Sequence, residues 1–145
     1  MVTHAVIPHS EKEPECPFCM PHSDRQIIER KGSVVAILDQ HPVTKGHTLL
    51  LPVRHTPDFF SMTSEEIDDA IVLIKLLQEN ISRSDPSVTG FNIGANSGIS
   101  AGQTIMHAHI HLIPRRDGDT PEPRGGVRGV IPDKMVYYGL LNRHF

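Results

Sequence analysis

One segment constrains the architecture of this chain more than any other. From Thr63 to Arg83 the apolar residues Ile67, Ala70, Ile71, Ile74, Leu77 and Ile81 recur at spacings of three and four, the period of one face of a helix. Thr63 and Glu66 form a capping box, Glu65 and Asp68 place negative charge in the first turn, and Ser84-Asp85-Pro86 ends the segment. The remaining apolar runs are short and rich in β-branched and aliphatic residues, which suits strands. Gln26 to Glu29 and Ser33 to Leu38, with Lys31-Gly32 between them, predict an antiparallel hairpin, and His47 to Val53 predicts a buried strand with Pro52 at its end. Val88 to Ile93 and Ile105 to Pro114 predict two more, joined by the Gly- and Ser-containing loop Asn96 to Gln103. One long helix against an antiparallel sheet of about five strands is an α+β domain, and 145 residues suffice for a single core. Val72, Leu73 and Leu76 widen the helix's apolar stripe beyond one packing face, which fits either a deeply covered helix or a subunit interface.

Around this domain, residues 1–15 are polar and read as a flexible lead-in, a turn is expected at Pro21 to Asp24, and residues 16–145 form the single domain with an irregular tail over 115–145. No apolar run approaches the ~20 residues that cross a bilayer. Fourteen Lys and Arg against seventeen Asp and Glu argue against a broad basic surface, so no nucleic-acid partner is expected. The N-terminal residues lack the basic start and apolar centre of a secretory signal, which makes the cytoplasm, with reduced thiols, the expected compartment.

Ten histidines beside no tryptophan direct attention to imidazole chemistry. His107-Ala108-His109-Ile110-His111-Leu112-Ile113 alternates His with apolar residues, so a strand would project all three imidazoles from one face and turn Ala108, Ile110 and Leu112 to the core. Three alternate histidines would arise by chance in roughly one chain in twenty of this composition, which makes the spacing suggestive but not decisive. The preceding small-residue loop, Gly98 to Thr104, offers backbone N–H groups that could hold an anion beside the imidazoles. Cys16-Pro17-Phe18-Cys19 admits a redox, a metal or a buried-thiol reading: the redox motif lacks its βαβ context, and zinc needs two ligands that no finger spacing supplies.

Gly102-Gln103-Thr104 running into His107-x-His109-x-His111 and closed by Pro114-Arg115 resembles the signature of the histidine triad nucleotide hydrolases and transferases. Ala36-Ile37-Leu38-Asp39, Gly46-His47-Thr48-Leu49 and Arg54-His55 stand in the order of their family counterparts, so the similarity covers about Cys16 to Pro132. The resemblance implies the histidine triad fold, with a short helix beside the long one, and a homodimer. It implies attack on an α-phosphorus by His109 through a nucleotidyl-histidine intermediate, aided by His111, His107, His47 and, near the leaving group, Gln103. Neutral imidazole is a competent nucleophile near pH 7, and covalent capture divides one hard displacement into two. By the same match Asp39 would accept hydrogen bonds from the ribose hydroxyls. Ile27, Leu38 and Phe18 would sandwich the base, and Asn96 with Thr104 would hold phosphate oxygens. The ligand would be a purine nucleotide or dinucleotide, and the substrate a dinucleoside polyphosphate or nucleoside phosphoramidate. Zinc-bearing relatives match Cys16, Cys19, His55 and His107 as ligands, which implies one structural zinc per chain. Two rivals remain: a nucleotide sensor without catalysis, and a metalloenzyme in which the three histidines share a catalytic metal. Arg115, Arg116, Arg124 and Arg128 would either reach distal phosphates or be solvated loop residues.

Overall fold

The structure, a computed structural model, describes residues 15–19 and 27–136. The expected lead-in, apart from Glu15, and the turn at Pro21 to Asp24 lie outside the described residues, as does the end of the tail beyond Val136. The long helix, α1 (Ser64–Ser84), starts as its cap predicts: the Thr63 hydroxyl accepts from the Glu66 N–H (3.1 Å) and the Glu66 carboxylate accepts from the Thr63 N–H (2.8 Å). Five strands, β1 (Ile27–Lys31), β2 (Val34–Leu38), β3 (Thr48–Pro52), β4 (Val88–Gly94) and β5 (Ile110–Arg116), form one antiparallel sheet in the order β1-β2-β3-β5-β4. Beyond α1, the helical elements among the described residues are 3₁₀ segments of three to five residues such as Phe59–Ser61 and Gly126–Val130, which is as much of the expected short helix as they contain.

The sheet separates two apolar clusters, as strand alternation requires. On one side Val34, Ala36, Leu50, Ala108, Ile110 and Leu112 meet Ala70, Leu73 and Leu77 of α1. On the other, Val35, Ile37, Leu49 and Leu51 meet Cys16, Phe18 and Cys19 of the N-terminal segment. In α1, Leu73 is core, but Ile71, Val72 and Leu76 are 47%, 49% and 40% exposed, so the helix stripe is wider than this chain covers.

The predicted last strand is corrected at its start, which lies at Ile110 and not at Ile105. The register Thr48–Leu112, Leu49–His111, Leu50–Ile110, continued, would set Ala108 opposite Pro52. The Ala108 N–H instead donates to the Thr56 carbonyl at 2.7 Å, so the ladder to β5 is broken where β3 ends.

Candidate active site

His111 sits opposite Leu49 in the sheet and therefore on the face of Phe18, away from α1. His107 and His109 keep to that side: the Phe18 ring lies edge-on to both, with centroids 6.1 and 5.0 Å away, and the His109 and His111 rings are 5.2 Å apart. The alternation predicted from sequence thus holds across residues that are not all in the strand ladder.

Hydrogen bonds to the main chain fix which nitrogen of each ring carries its proton. His109 Nδ1 lies 2.7 Å from the His107 carbonyl oxygen and must donate to it, which leaves Nε2 with its lone pair. His47 Nδ1 accepts the Val43 N–H at 3.2 Å, so its proton is on Nε2, where it meets His111 Nδ1 at 2.9 Å and faces Asp39 Oδ2 at 3.4 Å. As an acceptor at Nδ1, the neutral His111 ring carries its proton on Nε2. Burial, as the largest cause, pushes both rings below the ordinary histidine value: His47 against the attraction of Asp39, and His111 with added repulsion from His109 and His47. The site therefore presents a nucleophilic imidazole nitrogen beside an imidazole N–H donor.

His107 belongs to a second constellation. Its Nε2–H donates to the Pro52 carbonyl at 2.8 Å, and its Nδ1 lies 3.4 Å from Cys16 Sγ and 3.6 Å from Cys19 Sγ. Cys19 Sγ is in turn 3.2 Å from His55 Nδ1, and the four ligand atoms lie within 4.8 Å of one another. Sulfur and nitrogen on a tetrahedral zinc stand about 3.6 Å apart, given bonds of about 2.3 and 2.1 Å. The donor set is closed, with two thiols and two imidazoles, and the Pro52 carbonyl supplies the outer hydrogen bond that orients a ligating histidine. Burial above all, opposed by that hydrogen bond and aided by His55 and His109, pushes His107 down to about 4, so the ring is neutral and ready to ligate. These residues suit one structural zinc. Asp39, His47 and His111 also cluster within 4.8 Å, but there both nitrogens of His47 and Nδ1 of His111 are committed to Val43 and to each other. His107 Nδ1 faces the two cysteines and His109 Nδ1 the His107 carbonyl, so the three triad rings do not converge on one metal.

Beside the imidazoles a cleft of about 310 Å³ is lined by Phe18, Asp39, Leu49, Asn96, Gln103, Thr104, Ile105, His109 and His111 among others. Asp39 Oδ1 accepts from the His41 N–H at 2.8 Å. Gln103 is 5% exposed: its amide donates to the carbonyls of Pro57 (2.6 Å) and Ile105 (3.1 Å) and accepts from the Gly98 N–H (2.8 Å), so it pins the loop whose wall it forms. That loop spends most of its N–H groups internally, since Gly98, Ala101, Gly102 and Gln103 all donate within it, and the expected anion cradle is correspondingly smaller.

The base pocket needs one correction. Leu38 shares the α1 side of β2 with Val34 and Ala36 and is 51% exposed, so the structure does not bring it to the cleft. Its neighbour Ile37 is 3% exposed and joins Phe18, Leu49 and the partly buried Ile27 on the site face. Strand parity, applied strictly from Val35, would have found it. The tail arginines are paired within the protein: Arg115 with Asp119 and Asn92, Arg116 with Asp85 and Ser87, Arg124 with Glu122, and Arg128 with the Lys134 carbonyl. Those contacts favour the loop reading over contact with distal phosphates.

Comparison with known proteins places these observations. A family profile described as the HIT domain matches residues 21–118. An uncharacterized HIT-like protein of Mycobacterium tuberculosis is 37% identical over 92 residues, 63% of this chain and 63% of that relative. The asymmetrical bis(5'-nucleosyl)-tetraphosphatase of Schizosaccharomyces pombe is 33% identical over 97 residues, 67% of this chain and 53% of the relative. The chain thus spans less than two thirds of the length of either. Among solved structures, a zinc-bound histidine triad family protein from Mycobacterium smegmatis superposes with a TM-score of 0.68 at 32% identity, over 74% of this chain and 80% of that one.

Proposed function

This chain belongs to the HIT domain family, and on that premise we propose that it is a nucleotide hydrolase or nucleotidyl transferase that acts at an α-phosphate through a covalent nucleotidyl-histidine intermediate. The observation that carries the reading is the commitment of His109 Nδ1–H to the His107 carbonyl, which frees Nε2 as nucleophile beside the His111 ring. His109 Nε2 attacks the α-phosphorus, and the bond to the leaving oxygen or nitrogen breaks with its electron pair on the departing atom, a leaving nitrogen taking up a proton from solvent as it departs. The positive charge that develops on the phosphorylated ring is held by the Nδ1–H···O=C bond, and His111 Nε2–H steadies the phosphoryl oxygens as charge shifts onto them. Water then displaces the imidazole and releases the nucleotide. His47 orients His111, while Gln103, Asn96 and Thr104 shape the phosphate end of the cleft. Asp39 meets the ribose, and Phe18, Ile37 and Ile27 form the apolar base pocket. When bound, zinc supplies a structural cross-link at Cys16, Cys19, His55 and His107, with no part in bond breaking.

Dinucleoside polyphosphates and nucleoside phosphoramidates are the proposed substrates, the former supported by the tetraphosphatase relative. No helix among the described residues is long and apolar enough to cross a membrane, and we place the protein in the cytoplasm, where thiols stay reduced. A homodimer completes the proposal, supported by the exposed Ile71, Val72 and Leu76 of α1 and by Ile93 on the sheet-edge strand β4, which lines one groove with Ile71.

The test is His109→Ala and His109→Asn assayed on diadenosine tetraphosphate and on an AMP-lysine amide. Turnover should fall by several orders of magnitude while AMP affinity stays near wild type, because the nucleophile contributes mainly in the transition state. Alkaline quench of wild-type turnover should leave a nucleoside monophosphate on the His109 peptide. A variant that keeps most of the wild-type rate overturns the covalent mechanism, and wild-type binding without turnover on either substrate favours the sensor.

A further inference from the structure

The metal ligands and the nucleotide cleft meet in a single side chain. Phe18 lies between the ligands Cys16 and Cys19, is 5% exposed, and donates its backbone N–H to Cys16 Sγ at 3.4 Å, while the Cys19 N–H closes a tight turn on the Cys16 carbonyl at 3.2 Å. Its ring leaves this turn to wall the cleft beside Asp39 and His109. Both cysteines contact imidazoles that flank the strand ends, Cys16 that of His107 and Cys19 those of His107 and His55. The HIT profile begins at residue 21, so the segment that carries Phe18 lies ahead of the matched region.

We propose that the metal clip and the nucleotide cleft are one thermodynamically coupled unit joined through Phe18: zinc at Cys16, Cys19, His55 and His107 preorganises the Phe18 wall for a nucleoside base, and a bound base in turn tightens the hold on zinc. The inference rests on the nucleotide reading above. Ordering residues 16–19 costs conformational entropy, and whichever ligand binds first meets that cost, so the second binds more tightly. The coupling is reciprocal: the factor by which zinc improves nucleotide affinity equals the factor by which nucleotide improves zinc affinity. Phe18 is a specificity-determining contact, and the four ligands are positioning residues that act through it.

Zinc affinity of the whole protein is measured by competition with a chromophoric chelator, with and without saturating AMP, against a protein-free blank that records any chelation by AMP itself. AMP should raise zinc affinity on the order of tenfold, within the usual range of coupling between sites. Phe18→Ala should still bind one zinc but lose most of that AMP effect, and Phe18→Leu, which restores an apolar wall, should recover part of it. Identical zinc affinities with and without AMP in wild type overturn the coupling, as does an undiminished AMP effect in Phe18→Ala. Should Phe18→Ala fail to fold, the Leu variant and the wild-type comparison carry the same test. Calorimetry of AMP binding to the zinc-loaded protein separates the two layers: absence of binding overturns the nucleotide reading and this inference with it, whereas binding that is insensitive to zinc overturns the inference alone.

Discussion

The His47–His111 pair offers the sharpest test of the proton wiring, because two substitutions of similar size separate shape from hydrogen bonding. His47 is 3% exposed, and its two ring nitrogens serve opposite purposes: Nδ1 accepts from Val43 and Nε2 donates to His111. His47→Leu fills much of the space but leaves the Val43 N–H and His111 Nδ1 without their partner. Each lost bond with an unsatisfied group costs about 1–3 kcal/mol, and partial relaxation toward water makes roughly 2–4 kcal/mol in total reasonable. At roughly 3 °C per kcal/mol for a domain of this size, that is a fall of about 10 °C in Tm. His47→Gln presents an amide oxygen to Val43 and an amide N–H to His111, so it should recover at least half of the loss. Rates should follow the same order. Without the donor, nothing selects the Nε2–H form of His111, and loss of one aligned donor in a site of this kind costs on the order of ten- to a thousandfold in kcat. Calorimetric unfolding of zinc-loaded protein and steady-state rates on diadenosine tetraphosphate read both effects. If the Leu variant matches wild type in both, or the Gln variant is damaged as badly as the Leu variant, the tautomer assignment is wrong.

Metal analysis of protein purified without a polyhistidine tag should give about one zinc per chain, and Cys16→Ser with Cys19→Ser should lower metal content and thermal stability together; zinc near zero at undiminished stability contradicts the ligand set. Glu66, 3% exposed, takes two hydrogen bonds from Arg54 (2.8 and 3.1 Å) and caps α1. Burial alone would raise its pKa, but the bonds from Arg54 and Thr63 outweigh it and leave the carboxyl below its ordinary 4.5. Because the folded value is the lower one, this stabilisation is complete above pH about 4.5 and is lost as pH falls through the folded value. Glu66→Gln should therefore cost about 2–4 kcal/mol at pH 7 and flatten the acid limb of the stability curve, as urea titrations from pH 3 to 7 would register.

How far the sequence leads is clearest where alternation and pairing part company. The helix with its cap, the hairpin at Gly32, and the sidedness of Ala108, Ile110 and Leu112 follow from local period and composition, and the structure keeps them. The Cys16–His107 contact spans 91 residues, and no local rule reaches that far, so it was available only through family resemblance. Leu38 failed by one residue, which in a strand means the opposite face. The proton wiring was invisible for a different reason: its partners are the carbonyls of His107 and Pro52 and the N–H of Val43, groups that nearly every residue possesses. What makes these groups special is position. Pro52 is the last residue of β3, and the ladder to β5 stops short of Ala108, whose N–H goes to Thr56. The Pro52 carbonyl is then available to the His107 ring, and that bond leaves His107 Nδ1 facing the two cysteines. The His107 carbonyl faces the other neighbour, where pairing with β4 ends at Gly94–His111, and is open to His109 Nδ1–H. The metal-facing and the phosphate-facing imidazoles thus both stand where β5 has lost its partners, His107 past the end of β3 and His109 past the end of β4.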